Sequence, residues 1–139
     1  MHQFVTFTLN GELFGVDILQ AQEIQMPQPI TPVPRAPRMV LGLISLRGHV
    51  VPLVDLRYKL GMDLSKPIRK PYHIVVTTPD TIAAFLVDEI GDVIDVPSEK
   101  FVAPPDSVKA IDKRFLKGVY QLKKGILSIL NMDTVLEVS

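Results

Sequence analysis

The chain has 139 residues, 47% apolar and 22% charged, and its fifteen Lys and Arg balance fifteen Asp and Glu to a formal net charge of zero. That is enough for one packed domain, or for two small lobes sharing a core; it argues against disorder and against a basic field that collects nucleic-acid phosphates. There is no cysteine, and Met1-His2-Gln3-Phe4 lacks the basic and apolar regions of a signal peptide. The apolar run from Ile44 to Leu56 is cut by Arg47, Gly48, His49 and Pro52, short of the ~20 residues a membrane helix needs, so the sequence reads as a cytoplasmic protein with no membrane insertion.

Phe4 to Leu9 and Glu12 to Val16 flank Asn10-Gly11, the dipeptide that accepts the positive φ angles of a type I′ turn, which predicts a β-hairpin. Asp17 to Gln25 predicts a short turn and then extended chain, because prolines 27, 29, 32, 34 and 37 follow at once. Strands are expected from about Val40 to Leu46 and His49 to Val54, with Asp55 capping a short helix that ends at Gly61. Met62 to Pro71, with two prolines and four charges, reads as a linker. His73–Thr78 and Thr81–Val87 form a second expected hairpin, followed by extended chain at Val93–Val96. Ala103 to Lys113 is expected to be an irregular loop. Val119–Leu122 and Ile126–Leu130 flank Lys123-Lys124-Gly125 as a third strand pair, and Asn131 to Leu136 reads as a capped final helix.

The halves echo each other. Gly42, Leu46, Gly48 and Asp55 recur as Gly118, Leu122, Gly125 and Asp133, and Val16-Asp17 recurs as Val87-Asp88. Short strands at this spacing close into barrels or sandwiches, so a tandem pair of related β lobes is the economical reading.

Chemistry is sparse. His2, His49 and His73 have no Cys or carboxylate at ligand spacing, so no metal or other cofactor is expected, and no GxGxxG, Walker A or GxSxG pattern occurs. Asp80, Asp88, Glu89, Asp92 and Asp95 alternate with apolar residues and read as solvated strand edges. Glu23, between Ala21 and Ile24, and Arg47, at a Gly turn between apolar strands, are the charges that stand apart; they either pair, the Arg fork holding the carboxylate, or are separately solvated. Gly42 and Gly118 suggest bends or close backbone approach.

The stretches GVDILQAQEI (15–24), ITPVPRAP (30–37), LGLISLRGHVVPLVDL (41–56), FLVDEIGDVIDV (85–96) and FLKGVYQL (115–122) resemble the CheW family of bacterial chemotaxis coupling proteins over essentially the whole chain. The resemblance implies a single CheW-like domain, residues 1–139. It would be mainly β, with two SH3-like five-stranded barrels sharing a core and short helices, in lobes of about 1–65 and 70–139 whose terminal strands can be exchanged. It implies no enzyme, but an adaptor between the chemoreceptor cytoplasmic tip and the regulatory domain of the histidine kinase CheA, which supports array assembly at the membrane. By motif position the receptor-facing residues would be Ala21, Glu23, Arg47, His73 and Ala84, and the kinase-facing residues Thr31, Gly42 and Leu43 at one barrel end and Val102 and Ser107 at the other. Ala21 stands where the family commonly has a larger aliphatic residue, and His73 where it often has a β-branched one. A paralogue in a pilus or other chemosensory pathway is a second reading, and a small-ligand-binding β-barrel using the Asp80–Asp95 run is a third.

Overall fold

Asn10 and Gly11 take φ values of 51° and 80°, and this left-handed pair folds β1 (His2–Leu9) back onto β2 (Glu12–Asp17) with Leu9 opposite Glu12. The structure, a computed structural model, describes residues 2–68, 71–104, 107–108, 111–123 and 125–137. After β2, the Leu19 amide donates to the Asp17 carboxylate, turning the chain into β3 (Ala21–Gln25). β4 (Val40–Leu46) and β5 (His49–Val54) form a hairpin about Arg47 and Gly48, and Asp55 caps α1 (Leu56–Leu60), which ends at Gly61 in the left-handed region. β6 (Tyr72–Thr77) and β7 (Ile82–Val87) pair next, then β8 (Glu89–Val96). β9 (Ser107–Val108) and β10 (Ile111–Asp112) make a small hairpin, and β11 (Leu116–Leu122) and β12 (Gly125–Leu130) lead to α2 (Met132–Val135), capped by Asn131.

The β9–β10 hairpin and a 3-10 turn at Lys113–Phe115 replace the irregular loop expected for Ala103–Lys113; buried Ile111 ties this segment to the core. Four residues of that stretch, 105, 106, 109 and 110, and Lys124 of the third turn lie outside the described residues.

Two five-stranded sheets result, ordered β3-β6-β7-β5-β4 (barrel one) and β11-β12-β2-β1-β8 (barrel two). They do not divide the chain at the linker: each sheet takes its central hairpin from the other half, β6–β7 joining β3, β4 and β5 while β1–β2 joins β8, β11 and β12. Two parallel pairings make the exchange, Leu53 beside Ala84 and Ile129 beside Gly15.

The exchanged hairpins are buried on both faces. In β6, Ile74 and Val76 enter a core shared by the barrels, while Val75 enters the interior of barrel one with Ile44, Leu46, Val51, Leu53 and Ala84. Phe7, Leu9, Phe14 and Val16 likewise enter the shared core, where Phe7 stacks on its cross-strand partner Phe14, and Phe4 enters the interior of barrel two with Tyr120, Leu127 and Ile129. Strands so enclosed read as apolar runs without alternation, as Ile74-Val75-Val76 in β6 and IAAFLV in β7 do.

The internal repeat is real, but its register differs from the sequence echo. Gly42 and Gly118 do align, each just after a bulge opposite Leu53 and Ile129. The helix caps align Asp55 with Asn131 rather than Asp133, and Gly125, opposite Leu122, aligns with His49 rather than Gly48. The parallel ladders align Gly15 with Ala84, which puts Asp88 two places out of step with Asp17.

Candidate functional site

Barrel one has edge strands β3 and β4, and side chains join them. Arg47, at the β4–β5 turn with φ 49°, donates from Nη2 to Glu23 Oε2 at 2.6 Å. Glu23 Oε1 accepts from Gln25 Nε2 at 2.8 Å; Gln25 accepts in turn from Gln28 Nε2, and Gln28 Oε1 accepts the Ser45 amide at 3.2 Å. The polar rail Arg47–Glu23–Gln25–Gln28–Ser45 thus runs from one edge strand to the other. The sequence singled out only its two charged members; uncharged amides at an edge carry no motif.

Beside the rail lies a hollow of about 510 Å3, lined by Gln22, Leu46, Arg47, His49, Val50, Val51 and Ile82. Val50, 69% exposed, gives it an apolar lip. Of the residues expected to face a receptor, Glu23 and Arg47 meet here, and half-buried Ala21 starts β3 opposite Val76.

His73 and Ala84 do not reach the surface. They are 1% and 0% exposed, His73 between Gln25 and Leu86 in its sheet and Ala84 inside barrel one, so neither can touch a partner directly in this fold. The physical reason is the hairpin exchange, which puts protein on both faces of β6 and β7. Burial also pushes the His73 imidazole pKa below its ordinary value, favouring the neutral ring.

Among the described residues, one isolated bridge joins the chain to an edge strand of each barrel. Thr31 exchanges both backbone hydrogen bonds with Leu43, at 2.9 and 2.8 Å, and Val102 does the same with Val119, at 3.0 and 2.9 Å. A glycine adjoins each seam because nothing larger fits. A Cβ on Gly42 would lie 2.5 Å from the Thr31 carbonyl oxygen, and one on Gly118 would lie 2.2 Å from the Phe101 ring and 2.7 Å from the Val102 carbonyl oxygen. Exposed Ile30, Val33 and Leu41 surround the first seam, and Phe101 and Val102 the second. The structure therefore brings Thr31, Gly42 and Leu43 together and puts Val102 at the equivalent place on the other barrel. Ser107 stands apart, paired with Asp112 in β9–β10.

Among the described residues, no three His, Cys, Asp or Glu gather as metal ligands, and no helix is long and apolar enough to cross a membrane. Asp80, Glu89, Asp92 and Asp95 are exposed, and Asp88 Oδ2 accepts the Asn10 amide at 2.7 Å.

Comparison with known proteins gives one answer. The chain is 31% identical over 133 residues to the chemotaxis protein CheW of Rhizobium meliloti, covering 96% of this chain and 86% of that one. It is 30% identical to the chemotaxis protein CheW of Helicobacter pylori over 97% of this chain and 81% of that one. Protein PilI of Pseudomonas aeruginosa is 27% identical over 84% of this chain and 65% of its own. The crystal structure of the scaffolding protein TtCheW from Thermoanaerobacter tengcongensis superposes with a TM-score of 0.90 at 29% identity, covering 99% of this chain and 89% of that one. A family model described as the CheW-like domain matches residues 3–139, and with two exchanged five-stranded barrels in the matching fold the chain belongs to the CheW-like domain family.

Proposed function

We propose that the chain is a non-catalytic chemotaxis adaptor, cytoplasmic and working at membrane-associated receptor arrays, that couples the chemoreceptor tip to the regulatory domain of the histidine kinase CheA. The observation that carries this reading is the presence of separate exposed apolar surfaces around one shared core: the hollow beside Glu23–Arg47, and a seam on each barrel. A hollow with an apolar lip and a charged rail suits the apolar face of a receptor helix, and the seams, flanked by exposed Leu41 and Val102, suit barrel-to-barrel contact with the kinase. His73 and Ala84 serve the receptor surface from behind, by shaping β6 and β7.

Calorimetric titration with the regulatory domain of a CheA from the same genome tests the reading. Saturable one-to-one binding, weakened by charged substitutions at Leu43 or Val102 and untouched by substitution of Val50, supports it; no binding to any kinase encoded there removes it. The likeness to PilI gives a second reading, in which the same surfaces serve a pilus system. Binding only to the kinase of such a system would select it.

A further inference from the structure

We propose that Arg57 and Asn10 form a clamp that fixes the orientation of the two barrels, and that signal transfer depends on it; the second half rests on the adaptor reading above. Arg57 belongs to α1, on the barrel-one side, and is 7% exposed. A guanidinium taken out of water must be surrounded by acceptors. Its Nη1 donates to the Lys66 carbonyl at 2.6 Å and reaches Asn10 Oδ1 at 3.4 Å, and its Nε lies 3.7 Å from the Asp55 carboxylate. Asn10 is the tip of the β1–β2 hairpin, which belongs to barrel two. Its Nδ2 donates to the Asp63 carbonyl at 2.7 Å, and its amide donates to Asp88 where the chain crosses from barrel one to barrel two. Three contacts from three parts of the chain, Arg57, Asp63 and Asp88, therefore converge on one turn residue of the opposite barrel.

The equivalent joint is built differently. Where α2 meets the β6–β7 turn, the residue aligned with Arg57 is exposed Asp133, and a cleft of about 400 Å3 lies between Thr78, Asp80 and Thr81 on one side and Met132, Asp133 and Leu136 on the other. The clamped joint is the one at which a buried charge and its acceptors define an angle; the other joint leaves room for movement. Two barrels that must hand geometry from one partner to another need one such fixed joint.

Asn10→Gly is the clean test, because glycine keeps the left-handed turn and removes only the side-chain bonds to Arg57 and Asp63. Arg57→Lys is the second variant, since lysine keeps the charge and loses the fork. The chain has no cysteine, so cysteines introduced at exposed Thr81 and Lys123 take spin labels that report the distance between barrels. Both variants are expected to melt cooperatively, to bind the kinase domain and receptor tip within about twofold of wild type, to show a broadened distance distribution, and to lose about fivefold or more of receptor-dependent kinase activation. Unbroadened distances in both variants overturn the clamp. Broadened distances with wild-type activation overturn its part in coupling. If the unsubstituted protein binds neither partner, the adaptor reading and the coupling half fall together, while the distances still decide the clamp.

Discussion

Arg47 reaches back across 24 residues to hold Glu23 at 2.6 Å, although its own side chain is 72% exposed and that of Glu23 only 21%. An ion pair so open to solvent contributes at most about 1 kcal/mol to stability, so its value is geometric: it holds the β4–β5 turn against β3 at the mouth of the hollow. Arg47→Asn keeps a residue that tolerates the positive φ of this position while removing the guanidinium. We expect thermal unfolding to shift by no more than about 1 kcal/mol, with a clear loss of receptor affinity and little change toward the kinase. Charge reversal at Glu23 should hurt receptor binding more than the same change at exposed Glu99. Equal effects at the two positions, read by calorimetry, would place Glu23 on ordinary solvated surface.

The seams give a stability prediction with an internal control. Gly42→Ala and Gly118→Ala each force a methyl into backbone or ring atoms closer than 3 Å, whereas a Cβ on Gly48 meets nothing within 4 Å. Each seam substitution should cost about 2 kcal/mol, a fall in Tm of roughly 6–10 °C at this chain length. Gly48→Asn, at a φ of 85° and in open space, should cost much less. A calorimetric scan that ranks Gly48→Asn with the seam variants would mean that backbone conformation, and not close approach, governs these glycines.

Local chemistry is what the sequence displays, and the hairpins and caps are legible because the turn at Asn10-Gly11 and the helix ends at Asp55 and Gly61 are set by residues next to them in the chain. The exchange of hairpins was visible only as a possibility, since it rests on parallel pairings such as Leu53 with Ala84, 31 residues apart in number and without a shared turn. That exchange also explains why two of the expected site residues, His73 and Ala84, are buried. Motif position puts His73 and Ala84 near the receptor surface, but only the three-dimensional arrangement shows a second layer of protein over β6 and β7. Gln25 and Gln28 escaped notice for the opposite reason: they lie in the rail itself, yet nothing in an uncharged amide beside a proline-rich run marks it.

The two helix caps look alike in sequence but should differ in energy. Asn131 Oδ1 accepts the Asp133 amide at 3.1 Å at a half-exposed site, so Asn131→Ala should cost about 1 kcal/mol. Asp55 Oδ1 accepts the Arg57 amide at 3.0 Å and also faces the buried Arg57 guanidinium. Asp55→Ala removes the cap and strands a buried charge, for which about 3 kcal/mol or more is expected. Asp55→Asn should fall between the two, since it keeps an acceptor and loses the charge. Urea unfolding of the three variants checks the order; equal losses at Asp55→Ala and Asn131→Ala would show that Asp55 acts only as a cap.

His73 predicts how stability depends on pH. It is 1% exposed, and the residues opposite it in the sheet, Gln25 and Leu86, carry no charge, so burial alone depresses its pKa below the ordinary value near 6.5. In the unfolded chain the same imidazole takes up its proton at about pH 6.5. Between the two values the unfolded state binds more protons than the folded one, so stability is fully present above about pH 6.5 and falls as the pH is lowered through it, by at most about 1.4 kcal/mol per pH unit. The window that brackets the ordinary imidazole value, from about pH 5.5 to 7.5, is where the His73 contribution is read. Unfolding free energies across that window should fall toward the acid side in the wild type and stay level in His73→Leu. A wild-type profile as level as that of the variant would mean that the imidazole finds a compensating acceptor when it charges.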